Sequence, residues 1–416
     1  MKRICLLLLL TCTLPSCAAA QWYLFPGKKK SGEQTTTTTD SIRRVRPDNP
    51  ATLADTDSTG RPADSLVRTA AVPVWADSNI PEPLSTIRIG LILPLQAGGS
   101  ASENFLDLYS GALLALRDLG AQGLRAELQV YDSADAKTAP ADAVRDGDDL
   151  IIGPVTLQDI QKALPALPQD RVLVSPLEPK AAELAAQGPL VQSPSPWTAQ
   201  IDELVRWVRE ERLPAEEVYV VRDTAAAGRG EQSAYLLEKL RDAGIHTREV
   251  TSVGGIPFAR NRQFRVLIAS DRDAFFASAV RSLSIQGATN DNVILYGTTR
   301  VRTNGTGPTD LHNTNAHLAA AYFIDYEDPK VRDFILAYRA LFNNEPGSFA
   351  FQGYDTMRYF VTMCAKYGRQ WYKKLPEYRQ KGLQADFRFT AEHPRVNQAT
   401  RRIVYNKDLT TKLVEF

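Results

Sequence analysis

The sequence predicts an α/β protein with two doubly wound lobes, which follow a signal peptide and a disordered linker. From Ile87 onward, short apolar runs alternate with helical patterns of about 10–15 residues, which is typical of parallel βαβ units. The same alternation restarts after Pro194-Ser195-Pro196, so two such lobes are expected in succession. Residues 1–85 show neither the two-residue period of a strand nor the 3.6-residue period of a helix, which places them outside the folded body.

The composition narrows the possible functions. Among the 416 residues, 49 Lys and Arg stand against 48 Asp and Glu, whereas nucleic-acid-binding proteins usually carry a basic excess. Four cysteines are too few for a disulfide scaffold. The histidines lack metal-ligand spacing, and each is expected to be exposed or hydrogen-bonded. They are His246, His312, His317 and His393. We therefore expect no nucleic acid, metal or cofactor among the partners of this chain.

The first residues are organised like a secretory signal peptide. Two basic residues precede a seven-residue apolar run, Ile4–Leu10, which is shorter than the roughly 20 residues that span a bilayer. Leu14-Pro15-Ser16-Cys17 then resembles a bacterial lipobox, which implies removal of residues 1–16 and lipidation of Cys17. Ordinary cleavage near Ala18–Ala20 is the alternative.

Lipidation of Cys17 predicts a location in the bacterial cell envelope. Loss of Lys2 and Arg3 with the signal peptide would change the net charge from +1 to −1. Ala18, and not an aspartate, follows the cysteine. The sorting rule known from some bacteria then implies the outer membrane rather than the inner one, with the chain facing the periplasm.

Residues 17–85 are predicted to form a disordered, lipid-anchored linker. They contain three consecutive lysines, a threonine run at Thr35–Thr39 and few large apolar residues, so they cannot build a packed core. Asp40-Ser41-Ile42 and Asp64-Ser65-Leu66 resemble a short O-glycosylation pattern of some Gram-negative anaerobes. A plain solvated linker is the simpler explanation of both.

The first lobe is predicted from apolar runs that end in polar loops. Ile87–Leu95 has the pattern of a buried strand, and Phe105, Leu108, Ala112 and Leu116 repeat after it at helical spacing. The other predicted elements are strands at Ala126–Tyr131, Asp149–Ile152 and Arg171–Ser175, and helices at Thr138–Arg145 and from Thr156 onward.

The second lobe repeats this order. Ile201, Leu204 and Val208 mark one face of a helix, and Gly244 suits the left-handed cap that ends the next one. Predicted strands occupy Val218–Val221, Phe264–Ala269 and Asn292–Tyr296. Further helices are predicted at Gly228–Ala243, around Phe276, Val280 and Leu283, and around Val331, Phe334 and Tyr338.

Seven short motifs follow one another along this part of the chain. They are Ile89–Leu95, Tyr109–Ala115, Val130–Ser133, Leu150–Pro154, Val172–Pro176, Phe334–Pro346 and Phe351–Asp355. In this order they resemble the type I periplasmic binding proteins of the leucine/isoleucine/valine class, which include the substrate-binding lipoproteins of ABC transporters. The resemblance covers about Ile87–Phe416, which is nearly the whole predicted folded part.

The resemblance implies a two-lobed clamshell that closes around a ligand by a hinge, without covalent chemistry. The chain would cross between the lobes near Val191–Pro196, near His317–Phe323 and within about the last 50 residues. Lobe 1 would comprise residues 86–194 plus about 318–366, and lobe 2 residues 195–317 plus about 367–416. The ligand would bind at the carboxyl ends of the strands.

The predicted ligand-binding residues stand on loops that follow strands. They are Gln96, Thr156, Ser175, Leu177 and Glu178 in the first lobe, and Thr224, Ala227, Thr298 and Thr299 in the second. A hydroxyl beside the free N–H groups of a helix N-terminus favours a carboxylate or another anion, which makes Thr156 a candidate anion ligand. The alternative is that Thr156 is a plain N-cap of its helix.

The residues that hold an amino-acid zwitterion in this family are not retained. The resemblance implies a hydroxyl residue near Glu178, an aromatic residue at Ala227 and an acid near Thr298 and Thr299. The predicted ligand is therefore small and polar, amino-acid-like or peptide-like, and is not specifically a branched-chain amino acid.

Enzyme motifs are incomplete, so no catalytic residue is predicted. Gly228-Arg229-Gly230 opens a predicted helix after a strand, but Ser233 replaces the third glycine of a dinucleotide fingerprint. Turn chemistry explains Asp132 and Asp135, and core packing explains Cys364. A nucleotide-sugar transferase, which also has two α/β lobes, is disfavoured because its donors are cytoplasmic and this chain is predicted to be exported.

The predicted function is that of a solute-binding lipoprotein, which captures a small ligand and delivers it to an ABC permease or a sensor. The alternative is an interaction protein whose clamshell regulates a cell-envelope enzyme of peptidoglycan synthesis. Outer-membrane lipoprotein activators of penicillin-binding proteins are similar in using such a fold. The long linker and the missing zwitterion clamp motivate this alternative.

Overall fold

The computed structural model describes residues 84–96, 101–135, 140–144, 147–213, 216–259, 262–290, 292–302 and 306–414. The predicted signal peptide, Cys17 and the linker up to residue 83 lie outside the described residues. So do residues 138, 139 and 145 of the helix predicted at Thr138–Arg145. Within the part that is described, no helix is both long and apolar enough to cross a membrane.

The first sheet has five parallel strands in the order β2-β1-β3-β4-β5. Its strands are β1 Ile87–Leu93, β2 Ala126–Asp132, β3 Leu150–Ile152, β4 Leu173–Ser175 and β5 Leu190–Gln192. The helices between them are α1 Glu103–Ala121, α2 Pro140–Ala143, α3 Leu157–Ala163 and α4 Ala181–Gln187. Val174 packs in the core with α1, and its neighbour Leu173 packs in the core with α3 and α4. Because both faces are covered, the central strand β3 is apolar and buried along its whole length, whereas the edge strand β2 has exposed polar residues.

The second sheet has seven strands in the order β12-β11-β10-β9-β8-β6-β7. The strands are β6 Val218–Arg222, β7 Thr247–Val250, β8 Phe264–Ala269, β9 Val293–Thr298, β10 His317–Ala320, β11 Arg401–Tyr405 and β12 Thr411–Val414. The helices are α5 Trp197–Glu211, α6 Glu231–Asp242, α7 Asp273–Thr289 and α8 Pro308–Asn313. Leu204 and Leu236 place α5 and α6 on one face, and Val280 and Leu311 place α7 and α8 on the other. The predicted α/β fold with two doubly wound lobes is confirmed.

The last two strands are an addition that the sequence did not predict. β11 pairs antiparallel with β10, and β12 pairs antiparallel with β11, whereas the other neighbours in this sheet are parallel. The chain therefore returns to the second sheet at its C-terminal end and extends it by a hairpin.

Two long helices return from the second sheet to the first. They are α9 Pro329–Phe342 and α10 Ser348–Tyr367. Their buried side chains share one core with β1 and α1. Trp371, Phe387 and Phe389 belong to the same core. We propose on this ground that the first lobe extends to about residue 389, beyond the boundary near 366 that the sequence suggested.

The chain passes between the two sheets along three connectors, which we define by residue numbers. The first connector, 193–196, leads from β5 to α5, and the second, 321–328, leads from β10 to α9. The third connector, 378–400, leads from a 3₁₀ segment after α10 to β11.

Helices α1 and α10 pack at backbone contact. A Cβ atom on Gly353 would overlap the carbonyl oxygen of Leu108, and a Cβ atom on Gly111 would overlap that of Ala350. These glycines let two segments that are far apart in sequence share the first core.

Substitution Gly353→Ala is expected to lower the free energy of unfolding by about 1–3 kcal/mol, because the added methyl group overpacks the contact between α10 and α1. Gly120→Ala is the matched control, since nothing lies within 4 Å of a Cβ atom at that position in α1. The control should gain up to about 1 kcal/mol from helix propensity. Urea unfolding measures both changes, and an equal effect of the two substitutions would contradict the packing argument.

Candidate ligand-binding site

Five predicted binding residues lie at the carboxyl edge of the first sheet. Because β1, β3 and β4 are parallel neighbours, their carboxyl ends meet at one edge. Gln96 follows β1 and is exposed, and the half-buried Thr156 lies between β3 and α3. Ser175 ends β4, and Leu177 and Glu178 follow it. The topology therefore brings the three loops to the same edge.

Thr156 is the N-cap of α3. Its hydroxyl accepts a 3.2 Å hydrogen bond from the N–H of Asp159 and donates a 2.8 Å bond to the carboxylate of Asp159. The same carboxylate lies 3.4 Å from the Nζ of Lys162. The plain N-cap, which the sequence left as an alternative, is what the structure contains, and the capping hydroxyl is bonded to Asp159 at both its donor and its acceptor.

The loop after β4 buries two polar side chains. Ser175 is 0% exposed, and its hydroxyl has no hydrogen-bond partner. Leu177 packs against the first core. Glu178 is 8% exposed and accepts a 2.9 Å hydrogen bond from the N–H of Lys180. A buried hydroxyl and a buried carboxylate thus lie within four residues of one another.

Thr224 and Ala227 are exposed on the loop after β6. Beside them, the buried carboxylate of Asp223 accepts two hydrogen bonds from the guanidinium of Arg272, at 2.7 and 2.8 Å, and one from the hydroxyl of Ser270, at 2.7 Å. The hydrogen bonds from Arg272 lower the pKa of Asp223 to about 2. Asp223 is therefore ionised and engaged within the protein.

The N-terminus of α6 is occupied by the carboxylate of Asp271. This carboxylate accepts hydrogen bonds from the N–H groups of Gln232 and Ser233, at 3.1 and 2.9 Å. The glycines of Gly228-Arg229-Gly230 admit two carboxylates, because Cβ atoms there would overlap the side chains of Asp223 and Asp271. The two glycines thus leave room for the side chains of Asp223 and Asp271, and the pattern is explained without a bound ligand.

Thr298 and Thr299, at the end of β9, bond to the protein itself. The hydroxyl of Thr299 accepts a 3.3 Å hydrogen bond from the N–H of Ala321, in the second connector, and its N–H donates to Gln200 Oε1 at 3.2 Å. The hydroxyl of Thr298 accepts from the N–H of Arg300 at 3.4 Å. Thr299 therefore ties the edge of the second sheet to a connector.

A pocket lies beside Thr298, between α5, α6 and the carboxyl ends of β8 and β9. Its empty space is about 370 Å³, which includes the part open to solvent. Arg300 at its rim donates to Asp273 at 2.9 Å and to the carbonyl oxygen of Ser270 at 2.6 Å. Thr298 lines this pocket, and the other eight predicted binding residues do not. The polar lining is Gln232, Ser233, Ser270, Thr298 and Arg300, and the apolar lining includes Ile201, Leu204, Leu236 and Leu267.

Asp355 in α10 fastens the third connector to the first lobe. Its carboxylate is 1% exposed and accepts hydrogen bonds from the N–H groups of Leu383, Gln384 and Ala385, at 2.7, 2.7 and 3.0 Å. Burial raises the pKa of Asp355 to about 6, and the three N–H donors oppose that shift. At neutral pH the carboxylate is ionised, and the backbone donors replace its hydration.

Arg401, at the start of β11, holds the same part of the third connector from the second lobe. Its guanidinium donates to the carbonyl oxygen of Gly382 and to the carboxylate of Asp386, both at 2.6 Å. It also donates to the carbonyl oxygen of Phe323, in the second connector, at 2.6 Å. Arg401 therefore joins two connectors to each other, opposite the contact that Asp355 makes.

Asn397 joins the third connector to the first. Its Nδ2 donates to the carbonyl oxygens of Ser193, at 2.9 Å, and Asp386, at 2.8 Å. Its Oδ1 accepts from the N–H groups of Arg388, at 2.9 Å, and Ala399, at 3.0 Å. Through this side chain and Arg401, the three connectors form one hydrogen-bonded unit.

The remaining titratable residues form no obvious reactive centre. Among the described residues, no group of three or more His, Cys, Asp or Glu could hold a metal ion. Cys364 is buried in the first core, as predicted, and burial raises the pKa of its thiol. The ring of His312 contacts a backbone carbonyl at 2.7 Å.

The expectation that each histidine is exposed or hydrogen-bonded is wrong for His317. Its ring is buried between those of Trp207 and Tyr296, and its Nδ1 has no hydrogen-bond partner. Burial lowers the pKa of His317 to about 4, so the ring is neutral at physiological pH.

Residues 86–399 match the family described as periplasmic binding protein. This chain belongs to that family. Its fold is the type I form that the seven motifs resemble, and it is shared with substrate-binding proteins of ABC transporters. No curated protein matches the sequence.

Three solved structures illustrate the shared fold of this periplasmic binding protein. A putative branched-chain amino acid ABC transporter from Rhodospirillum rubrum has a TM-score of 0.56 at 17% identity, over 79% of this chain and 100% of that one. An ABC transporter substrate-binding protein from Desulfitobacterium hafniense has a TM-score of 0.51 at 17% identity, with the same coverage. Full-length LpoA from Haemophilus influenzae has a TM-score of 0.55 at 14% identity, over 81% of this chain and 60% of LpoA.

The positions that the resemblance assigns to a zwitterion are used differently in this periplasmic binding protein. Glu178 presents a buried carboxylate in place of a hydroxyl, and Ala227 leaves an exposed methyl group in place of an aromatic ring. The hydroxyl and the N–H of Thr299 both form hydrogen bonds within the protein. The family scaffold is therefore present with different side chains at these positions.

The connector residues Asp355, Arg401 and Asn397 were missed as functional residues by the sequence analysis. The available signal was the motif Phe351–Asp355, which places a carboxylate in an otherwise apolar helix. Arg401 and Asn397 carry no local signal, because the groups they bind lie as far as 78 and 204 residues away.

Substitution Asp355→Asn is expected to remove the pH dependence that this carboxyl group adds to folding. The folded-state pKa of about 6 lies above the ordinary value of 3.8, so the folded protein binds more protons between these values. The stability that Asp355 contributes is therefore greatest below about pH 4 and is lost as the pH rises through about 6.

Unfolding free energies of the wild type and the variant, measured from pH 4 to pH 7, test this shift. The wild-type value minus the variant value should fall by about 2 kcal/mol over that interval. A difference that stays constant with pH, or one that grows, would show that the pKa of Asp355 is not raised.

Proposed function

We propose that this periplasmic binding protein captures a small polar ligand, amino-acid-like or peptide-like, between its lobes and delivers it to an ABC permease or a sensor. Membership of the family over residues 86–399 is the observation that carries the proposal. The loops after β1, β3 and β4 and those after β6 and β9 follow carboxyl ends of parallel strands, where ligands of open α/β sheets bind.

Closure around the ligand would occur by rotation about the three connectors. Asn397 links the first and third connectors, and Arg401 links the second and third. Because these segments are bonded to one another, a change of backbone angles within them can turn one lobe relative to the other without opening either core.

Contact with a cell-envelope enzyme of peptidoglycan synthesis is a second candidate function. At the carboxyl edge of the second sheet, polar groups are already bonded within the protein: Asp271 caps α6 and Asp223 pairs with Arg272. This arrangement favours the second candidate. An edge whose polar groups are already satisfied suits a protein that acts through its outer surface. The similarity to LpoA is a similarity of fold and adds no partner.

We also propose that the chain is anchored to the bacterial outer membrane through Cys17 and faces the periplasm. The leader sequence, the lipobox-like Leu14-Pro15-Ser16-Cys17 and Ala18 support this proposal. Residues 17–85 would hold the binding body at a distance from the membrane.

A thermal-unfolding screen of the full chain with amino acids, dipeptides, sugars and muropeptides tests the binding function. A ligand present at 100 times its dissociation constant should raise the free energy of unfolding by about 2.7 kcal/mol. An unrelated protein screened with the same compounds controls for solvent effects. Stabilisation by none of them, together with recovery of a peptidoglycan synthase in a pull-down, would contradict ligand capture and support the second candidate.

Substitution Cys17→Ala should release the chain from the membrane fraction, because the acyl chains are lost. Cys12→Ala, within the signal peptide, is the matched control and should leave the distribution unchanged. Immunoblots of the membrane and soluble fractions measure the outcome. Retention of the Cys17 variant in the membrane would disprove the anchor.

A further inference from the structure

Helix N-termini at the carboxyl edges of both sheets are occupied by the protein's own side chains. Thr156, whose hydroxyl also donates to the carboxylate of Asp159, caps α3, and Asp271 caps α6. A free helix N-terminus attracts an anion, but here an incoming carboxylate would meet another carboxylate. These positions therefore disfavour an anionic group on the ligand.

Glu178 is a deeply buried carboxylate that has no cationic partner among the described residues. It is 8% exposed and accepts one hydrogen bond, from the N–H of Lys180, and the described part of the chain forms no ion pair with it. In contrast, Asp149 and Glu203 pair with arginines at 2.9 and 2.6 Å. Asp355 lacks a salt bridge but accepts three N–H bonds.

A largely buried carboxylate that accepts one hydrogen bond from the protein needs further donors, from solvent or from a ligand, to stabilise its charge. The usual compensation is a cation or a metal ion. The described residues hold no group of three or more His, Cys, Asp or Glu around Glu178 that could bind a metal. An organic cation supplied from outside the chain would provide this compensation.

The position of Glu178 fits such a role. It stands three residues after Ser175, which ends β4 at the carboxyl edge of the first sheet. The hydroxyl of Ser175 is fully buried and has no partner, so this loop holds a second unused polar atom. Leu177, between the two, packs on the first core and holds the loop in place.

We propose that Glu178 pairs with a cationic group of the ligand, an ammonium or a guanidinium, and so selects a cation at the position where the family resemblance implies a hydroxyl residue. This inference rests on the proposed function, because it requires a small ligand between the lobes. An ammonium offers three N–H donors and a guanidinium five, enough to satisfy the remaining acceptor sites of the carboxylate.

Calorimetric titration of the purified full chain with four probes tests the pairing. Agmatine and cadaverine are cations, L-leucine is a zwitterion and glutarate is a dianion. At least one of the two cations is expected to bind, and glutarate is not. Glu178→Gln keeps an acceptor for the N–H of Lys180 but removes the charge, and it should weaken binding of the cation by about tenfold or more.

Glu183→Gln is the matched control, because it removes the same charge from an exposed position in the neighbouring α4. It should leave the affinity unchanged, and thermal unfolding verifies that both variants fold. Equal weakening of cation binding by the two substitutions would overturn the proposal, because it would show that the loss of any nearby negative charge has this effect.

Binding of L-leucine or glutarate without binding of either cation would also overturn the pairing, yet it would leave the proposed function intact. If none of the four probes binds, the proposal that Glu178 selects a cationic ligand is also wrong. In that case the broader screen of amino acids, dipeptides, sugars and muropeptides decides separately whether the chain binds any ligand.

Discussion

The buried carboxylate of Asp355 is the interaction on which the arrangement of the connectors depends. Three successive backbone N–H groups replace its water, and Arg401 reaches the same segment from the other lobe. If this segment moved away from α10, the carboxylate of Asp355 would remain buried without its three N–H donors, which costs several kcal/mol. The third connector is therefore fixed on the first lobe near residue 384, and a hinge movement has to be absorbed further along, between Phe389 and β11.

The motif Phe351–Asp355, one of the seven that resemble the family, has a structural role in this protein. Gly353 allows α10 to touch α1, the hydroxyl of Tyr354 donates to Asp118 in α1 at 2.9 Å, and Asp355 holds the connector. None of these contacts involves the predicted binding loops. A chain can therefore retain this motif while the side chains at Glu178 and Ala227 change, which explains why the resemblance specifies the fold more firmly than the ligand.

Sequence reasoning succeeded where one local pattern determines the structure. The strand at Phe264–Ala269 was predicted with its observed bounds, because Phe264 and the unbroken run Val266–Ala269 are apolar, as expected of a strand buried on both faces. β11 and β12 were missed because Arg401 and Arg402 interrupt the apolar pattern of the first and the second is largely exposed. In the candidate site, the N-cap role of Thr156 follows from its neighbours in sequence, whereas the burial of Glu178 depends on the tertiary packing around its loop.

The return of the chain to each sheet has a consequence for how the protein folds. The core of the first lobe needs α9 and α10, which follow the first five strands of the second sheet, and that sheet is completed only by β11 and β12. Neither lobe is a contiguous stretch of sequence, so a chain that emerges N-terminus first cannot complete either lobe until it is almost entirely available. The two lobes therefore reach their complete form together, once the C-terminal segments that each of them needs have been made.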